Sequence, residues 1–190
     1  MNLILSADEN WGLGKDNRLL FRIKPDIKAF SEKTHGGVVI MGRKTLESLP
    51  EGKPLAGRVN LVLTRDPSKD GDGKQLIFCR SVRDLSLRLN ELAPEPANTW
   101  VIGGAEIYLL LLPYCKEAYV TRVLAAAAEV DCYMVDLDQT TGWAVAERGA
   151  LQVWEGLRFR YDRYVNLQAI ALADHFPEGS AGISEGSSTC

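Results

Sequence analysis

Apolar and polar positions recur along this chain with two periods, and the period identifies each element. Short apolar runs bounded by charges or turn residues predict buried strands. Such runs lie at 1–7, 36–42, 58–65, 76–80, 99–104 and 117–125, and the alternating stretch 157–167 predicts a late antiparallel strand. Segments with a helical period lie between them at 25–33, 43–49, 81–92 and 105–115. Strands that alternate with helices predict an α/β domain with a central, mainly parallel sheet and flanking helices.

Three polar stretches lack either period, and we expect them to be irregular. Residues 8–18 (DENWGLGKDNR) combine two glycines with turn-forming residues, which predicts a flexible loop. Residues 66–74 (DPSKDGDGK) predict a surface loop. From 168 to 190 the chain becomes rich in Gly, Ser, Glu and Ala, which predicts a disordered tail after one domain at 1–167.

Composition and charge narrow the class of protein. The chain has 190 residues, 46% of them hydrophobic and 25% charged, as in ordinary globular proteins. A net charge of -3 gives no general attraction to nucleic acid or to an anionic membrane. The four cysteines are scattered and only two histidines are present, so we expect no metal site and no disulfide framework. Without a signal-like segment or a membrane span, we expect a cytoplasmic protein, and we expect it to be monomeric.

Glycines occur at two junctions where a predicted strand leads into a helix. These junctions read VVIMGRKT at 38–45 and WVIGGAEIY at 100–108. Glycine lets the backbone approach a ligand, and the start of the next helix offers free N–H groups to phosphate oxygens. Either junction alone is also compatible with a tight turn and nothing more.

Basic residues follow the same strand ends. Arg43 and Lys44 follow one strand, Arg65 ends another and Arg80 ends a third. Cations that converge on one sheet edge suit a phosphomonoester, whereas an NAD site needs an acid about 20 residues after its glycines. The pattern therefore favours NADP, although each basic residue separately could be an ordinary solvated side chain.

Asp26 is the most informative single residue of the chain. It lies directly after Pro25, in the predicted first turn of a helix, among the apolar residues Ile23, Ile27 and Phe30. A favourable interaction with the helix dipole is one sufficient reason for an acid in the first turn of a helix, and it requires no ligand. A partly buried carboxylate nevertheless needs a hydrogen-bond donor, and a flat heterocycle with an amino group and a ring N–H would supply two.

Six stretches, in this order, resemble the bacterial type of the dihydrofolate reductase family: GLGKDN, LLFRIKPDIKAF, VVIMGRKTLESLP, LAGRVNLVLTR, WVIGGAEIY and YVTRV. The resemblance covers residues 1–167. It implies an eight-stranded, mainly parallel sheet and the reduction of 7,8-dihydrofolate to tetrahydrofolate by NADPH, which supplies one-carbon metabolism.

The resemblance also implies a substrate site around Asp26. The carboxylate would bind the pterin 2-amino group and N3, with Thr121 supporting it. Ile4 and Ile102 would offer backbone carbonyls, and Arg58 would bind the α-carboxylate of the substrate's glutamate. The remaining expected substrate contacts are Ser6, Ile27, Phe30, Leu49 and Leu55, of which Phe30, Leu49 and Leu55 would pack on the benzoyl ring.

Cofactor contacts implied by the resemblance come from the loop, the two glycine junctions and the basic residues. They are Ala7, Leu13, Gly14, Asn17, Leu19, Gly42, Arg43, Lys44, Thr45, Leu63, Thr64, Arg65, Arg80, Ile102, Gly103, Gly104, Ala105, Glu106, Ile107 and Tyr108. The Gly103–Gly104 peptide is expected to be cis, and the loop at 8–21 is expected to close over the nicotinamide.

Proton delivery to pterin N5 is the step for which no side chain is obvious. We hypothesise that water delivers the proton while Asp26 biases the pterin electrostatically. Phe21 belongs to the expected catalytic set by position, but it stands where many relatives have Trp and cannot donate a hydrogen bond to an active-site water. Ala105 replaces the usual third glycine, and Asp131 matches an acid that contacts the mobile loop.

Two other readings remain open at this stage. A pyrimidine-type reductase of riboflavin synthesis shares this fold and the use of NADPH, but Asp26 together with Arg58 favours folate. A folate- or nucleotide-binding module that has lost catalysis would also keep the pocket, although Asp26 and Thr121 are both present.

Overall fold

The computed structural model describes residues 1–66, 71 and 73–175. Part of the predicted surface loop and all of 176–190 lie outside these described residues. The strands are β1 (Asn2–Ala7), β2 (Gly12–Lys15), β3 (Arg18–Leu19), β4 (Val38–Gly42), β5 (Val59–Leu63), β6 (Leu76–Cys79), β7 (Thr99–Gly103), β8 (Glu117–Val123), β9 (Cys132–Tyr133), β10 (Trp143–Arg148), β11 (Gln152–Trp154) and β12 (Leu157–Asn166). The α-helices are α1 (Lys24–Thr34), α2 (Arg43–Ser48), α3 (Val82–Leu92), α4 (Ala105–Leu111) and α5 (Leu172–His175).

Eight strands form a continuous path in the main sheet, in the order β10-β12-β8-β1-β7-β4-β5-β6, and β11 pairs with β12 beside that path. Neighbours from β8 to β6 are parallel. In contrast, β12 runs antiparallel to both β8 and β10. The predicted eight-stranded, mainly parallel sheet with an antiparallel last strand is confirmed.

The central strands are apolar on both faces because helices cover both faces of the sheet. In β4, Val38 and Ile40 belong to the larger core cluster, which also contains Leu85 of α3 and Leu111 of α4. The alternate residues Val39 and Met41 belong to a second cluster on the opposite face. None of the helices in the described chain is long and apolar enough to cross a bilayer.

Two helix starts show local signals that the sequence already contains. α1 has a proline in its first turn, where the missing N–H costs no hydrogen bond. The Ser81 side chain accepts a 3.0 Å hydrogen bond from the Asp84 amide and thereby caps α3, while the Asp84 carboxylate accepts from the Arg80 amide at 2.8 Å. Ser81 and Asp84 therefore hold the start of α3 through side-chain hydrogen bonds.

The structure differs from the sequence-based prediction in three places. Within 8–18, which we expected to be an irregular loop, β2 pairs with β3 and with β9 in a small separate sheet. The strands β10 and β11 were missed because their exposed faces break the apolar period. Within the predicted tail at 168–190, the described residues include the short helix α5, where Leu172 is buried in the core and the His175 ring packs edge-on against Tyr114.

Candidate active site

The Asp26 carboxylate is the polar centre of the site. Asp26 is half-buried in the first turn of α1, and Thr121 on β8 donates a 2.6 Å hydrogen bond to its Oδ1. Burial raises the pKa of the Asp26 carboxyl above its ordinary value, while the Thr121 hydrogen bond acts in the opposite direction. The acid and threonine that we predicted to act together therefore lie in direct contact.

Apolar side chains line the sheet surface near this pair. The predicted substrate residues on this surface pack against one core cluster; they are Ile4, Leu49, Leu55 and Ile102. On α1, Phe30 is half-buried and Ile27 is 39% exposed, so apolar surface next to Asp26 remains open. Ser6 lies opposite Thr121 in the β1–β8 ladder. The predicted apolar slot is assembled from four different elements.

The backbone carbonyl of Ile4, which we expected to face a pterin, has a partner within the protein. The Tyr108 hydroxyl donates a 2.8 Å hydrogen bond to Ile4 O. Burial raises the pKa of Tyr108 far above its usual range, so the phenol remains protonated and acts as a donor. A carbonyl oxygen has two lone pairs, and one stays available to a ligand.

Arg58 is held in place at the far side of the slot. Its Nε donates to Ala56 O at 3.1 Å and its Nη1 donates to Thr34 Oγ1 at 2.9 Å. Thr34 is fully buried and donates in turn to Phe30 O at 2.8 Å. Partial burial lowers the pKa of the guanidinium, but an arginine remains charged at neutral pH. The guanidinium N–H groups not used in these bonds can bind a carboxylate.

The two glycine junctions lie side by side at the carboxyl ends of β4 and β7. A Cβ at Gly42 would lie 3.0 Å from Ile107, and one at Gly104 would lie 3.6 Å from Thr45 Oγ1. Gly103 has φ +107°, and a Cβ there would lie 2.9 Å from the Tyr108 ring. The Gly103–Gly104 peptide is cis, as the resemblance implied. Together these glycines form a backbone cradle that larger residues would fill.

Basic side chains follow β4, β5 and β6 at the same edge of the sheet as this cradle. Arg43, at the start of α2, forms a 2.8 Å ion pair with Glu47, and Lys44 next to it is exposed. Arg65 follows β5 and is exposed, and Arg80 follows β6 and donates from Nη1 to Asp66 O. All four follow strands that end at the same edge of the parallel sheet, which is the edge where such sheets bind ligands.

The remaining predicted cofactor residues fall into three groups. Ala7, Leu13 and Leu63 are buried in the core, so little of these side chains is open to a ligand. Thr64 Oγ1 accepts a 3.1 Å hydrogen bond from the Asp66 amide. The first turn of α4 contributes Ala105, Glu106 and Ile107.

The segment 8–21 is tied to its surroundings at several points. The Asn17 side chain donates to Lys44 O at 2.8 Å, which joins the loop to the start of α2. The Asp16 amide donates to Asp131 Oδ2 at 2.8 Å, and the Asp131 amide donates to Gly14 O at 3.1 Å. Asp131 therefore contacts this loop, and Asn17 places the loop next to the start of α2.

Phe21 packs against apolar side chains. It contacts the cluster formed by Ile23, Val123 and Phe159. A cavity of about 740 Å³ is lined by Phe21, by the exposed Leu19 and by Ala126–Ala128, together with charged residues that include Lys15 and Glu129. The side chain of Phe21 therefore provides packing and no hydrogen bond, so a catalytic role for it remains a prediction.

Sequence reasoning missed two groups near the site. Arg122 is buried, stacks 4.2 Å above the Trp11 ring, and donates to Asp8 O at 2.9 Å. Tyr161 lies opposite Thr121 in the β8–β12 ladder. The alternation in 157–167 predicted a strand, but no local signal identified β8 as its partner, so the position of Tyr161 could not be derived.

Comparisons with known proteins agree with this geometry. The family model described as dihydrofolate reductase matches residues 1–166. A dihydrofolate reductase of Mycobacterium leprae is 33% identical over 172 residues, covering 86% of this chain and 96% of that protein. A bifunctional dihydrofolate reductase-thymidylate synthase of Glycine max is 32% identical over 185 residues, and the match covers 89% of this chain but only 34% of that longer protein. A solved Enterococcus faecalis dihydrofolate reductase, complexed with NADP(H) and RAB-propyl, has a TM-score of 0.68 at 25% identity, covering 86% of this chain and 94% of that one.

Proposed function

The chain belongs to the dihydrofolate reductase family, and from this premise we propose how its residues carry out the NADPH-dependent reduction of 7,8-dihydrofolate to 5,6,7,8-tetrahydrofolate. The single observation that carries the proposal is the hydrogen-bonded Asp26–Thr121 pair in an apolar slot beside the glycine cradle. In the cell this reaction supplies one-carbon metabolism.

Asp26 holds the substrate. Its carboxylate accepts hydrogen bonds from the pterin 2-amino group and N3, and the Thr121 bond to Oδ1 fixes the orientation of the carboxylate. Phe30, Leu49 and Leu55 pack on the benzoyl ring. The Arg58 guanidinium, oriented by Ala56 and Thr34, binds the α-carboxylate of the glutamate.

The residues at the two junctions fit a phosphorylated dinucleotide. The cradle at Gly42 and Gly103 has no room for side chains, and Arg43, Lys44, Arg65 and Arg80 supply the positive charge that phosphates require. NADPH, when bound, supplies the hydride that pterin C6 accepts. The loop at 8–21, tied down through Asn17 and Asp131, limits the access of water.

The proton for pterin N5 comes from water in this proposal. Phe21 packs on an apolar cluster and supplies no donor for this proton. The ionised Asp26 carboxylate favours positive charge on the bound pterin and so favours protonation of N5. Desolvation strengthens this electrostatic effect.

An absorbance assay with purified protein tests the function. With dihydrofolate present, NADPH should be oxidised far faster than NADH. Asp26→Asn should lower kcat/KM by about 100-fold or more, because charge-assisted hydrogen bonds of about 2–3 kcal/mol are lost, while NADPH binding should be retained. If NADPH is not oxidised, the proposed reductase activity is wrong. If NADH is oxidised as fast as NADPH, the proposed binding of the additional phosphate by the basic residues is wrong.

We further propose that the protein acts as a cytoplasmic monomer that does not bind nucleic acid. The net charge of -3 supports the last point.

The two competing functions are less well supported. A pyrimidine-type reductase would not need Arg58 held by Thr34. A binding module without catalysis would keep the contact between Asp26 and Thr121, and the absorbance assay distinguishes it from the reductase because it would not oxidise NADPH.

A further inference from the structure

Tyr161 on β12 faces the same side of the sheet as the catalytic pair. It lies directly opposite Thr121 in the antiparallel ladder, and opposite residues in such a ladder project to the same face. Its ring packs edge-on against Phe159, with centroids 5.5 Å apart. Both rings belong to the cluster around Ile23, the residue that precedes α1. Tyr161 is therefore positioned next to the first turn of α1, where Asp26 lies.

The Asp26 carboxylate uses only one of its oxygens within the described chain. Thr121 bonds to Oδ1, whereas Oδ2 has no protein donor among the described residues. A half-buried carboxylate oxygen needs a donor, from the protein or from an ordered water. Phe21, which packs in the same cluster as Tyr161, cannot supply one.

The Tyr161 hydroxyl is a donor available at this place. It has no hydrogen-bond partner among the residues that the structure describes, and its side chain is only half-buried. Burial raises the pKa of Tyr161, and the negative charge of Asp26 adds to this effect. Because no direct hydrogen bond joins them, one water molecule between them would satisfy both groups.

We propose that Tyr161 is a positioning residue for Asp26, whose phenol hydroxyl donates to a water molecule that hydrogen-bonds to Asp26 Oδ2. Thr121 and Tyr161, neighbours on β8 and β12, then hold the two carboxylate oxygens from the same side. The edge of the carboxylate that faces the slot stays available to the substrate. The bridge also stabilises the ionised form of Asp26, which is the form that binds the pterin in the proposed function on which this inference rests.

The other groups that face Asp26 do not provide this contact. The Tyr108 phenol, from α4, is within electrostatic reach of Asp26 but donates to Ile4 O. Ser6 on β1 and Thr121 on β8 are uncharged. On α1 itself, Lys24 and Lys28 are exposed to solvent. None of these groups donates a hydrogen bond to Asp26 Oδ2 in the described chain.

The direct test is an NMR titration of the Asp26 carboxyl carbon in the ligand-free protein, with the signal assigned from its loss in Asp26→Asn. Tyr161→Phe keeps the ring and removes only the hydroxyl. We expect the pKa of Asp26 to rise by about one unit, since a hydrogen bond to a charged group is lost. An Asp26 pKa that stays the same in folded Tyr161→Phe would overturn the proposal.

Tyr119→Phe is the matched control. Tyr119 lies two residues before Thr121 on β8, and its hydroxyl donates to Glu117 Oε2 at 2.7 Å, away from Asp26. The Asp26 pKa should not change in this variant, and a shift as large as that in Tyr161→Phe would count against a specific contact.

A second variant covers the case in which Tyr161→Phe fails to fold. Incorporation of 3-fluorotyrosine at position 161 preserves the shape of the ring and makes the hydroxyl a stronger donor. The pKa of Asp26 should then fall, and no change or a rise would refute the bridge. The titration needs neither substrate nor turnover. It can therefore fail while the reductase assay succeeds, or succeed while that assay fails.

Discussion

At the scale of single residues, the site depends on an acid whose position is unfavourable for the folded state alone. Asp26 is half-buried in the first turn of α1, and one threonine hydroxyl is its only side-chain donor in the described chain. A neutral side chain of the same size would avoid the cost of desolvating a charge. The carboxylate is therefore better explained by ligand binding than by folding.

This cost should be measurable as a dependence of stability on pH. Because burial raises the pKa of Asp26 in the folded protein, the folded state binds that proton more tightly than the unfolded chain does. The contribution of Asp26 to the free energy of unfolding therefore decreases as the pH rises from the ordinary value of 3.8 through the raised pKa. Asp26→Asn removes this dependence, so the variant should be more stable than the native protein at about pH 7, and the difference should shrink towards about pH 4.

Urea unfolding of both proteins across this pH range measures the effect. Asp162→Asn would be an unsuitable comparison, because the buried Asp162 carboxylate pairs with two arginines; Asp174→Asn on the short helix α5 is a milder control. A difference between Asp26→Asn and the native protein that is the same at both ends of the range would contradict the prediction.

At the scale of elements, Arg122 connects the active-site loop to the sheet. From β8 it donates to the carbonyls of Asp8 and Glu9, at 2.9 Å and 3.3 Å, and it stacks on Trp11. Asp8 is buried, and its side chain accepts hydrogen bonds from the amides of Gly12 and Ala127. The start of the loop is therefore fixed, although its sequence suggests flexibility.

Arg122→Met should weaken the attachment of the first residues of the active-site loop while the sheet is retained. Loss of two hydrogen bonds from a charged group, at about 1.5–3 kcal/mol each, should increase amide exchange at Gly12 by at least about tenfold. Arg163→Met is the control, because Arg163 pairs with Glu117 and Glu147 and does not contact the loop. Hydrogen exchange followed by NMR measures both variants, and equal protection of Gly12 in Arg122→Met and the native protein would show that Arg122 does not anchor the loop.

The elements differ in how well the sequence predicts them. Strands β4, β5 and β7 are continuous apolar runs because both faces are buried, and such runs are recognisable without a structure. Strand β10 is largely exposed, and β2 and β3 are held by pairing with distant or polar segments, so their period carries no signal.

The residues of the site also divide into those that local sequence patterns predict and those that they do not. Asp26, Arg58 and the glycine junctions lie in recognisable motifs. The positions of Tyr161 and Arg122 depend on strand pairing and on contacts with a loop more than 100 residues away in sequence, which no local pattern encodes.

At the scale of the whole molecule, the ordered chain extends beyond the last strand. The Ile170 amide donates to Pro113 O at 3.1 Å, Leu172 is 8% exposed, and the His175 ring packs edge-on against Tyr114. A chain ending at Leu167 should thus be less stable than one ending at His175 by about 2 kcal/mol, because it lacks the stabilisation that the burial of Leu172 provides.

Thermal unfolding of the two truncated chains provides the measurement. The shorter chain should unfold several degrees lower, given the size of the domain. Substitution of Leu172 by Ala in the longer chain should reproduce most of this loss, and identical midpoints for the two truncations would mean that α5 does not contribute to stability.

The position of β1 in the sheet has a consequence for folding during translation. β1 lies between β7 and β8, where Leu3 is opposite Val101 and Ser6 is opposite Thr121. At a synthesis rate of about 5–20 residues per second, the two strands that flank β1 appear on the order of ten seconds after it. During that interval the apolar segment NLILSA has no partner strand, and it is the part of the nascent chain most exposed to aggregation or to capture by a chaperone.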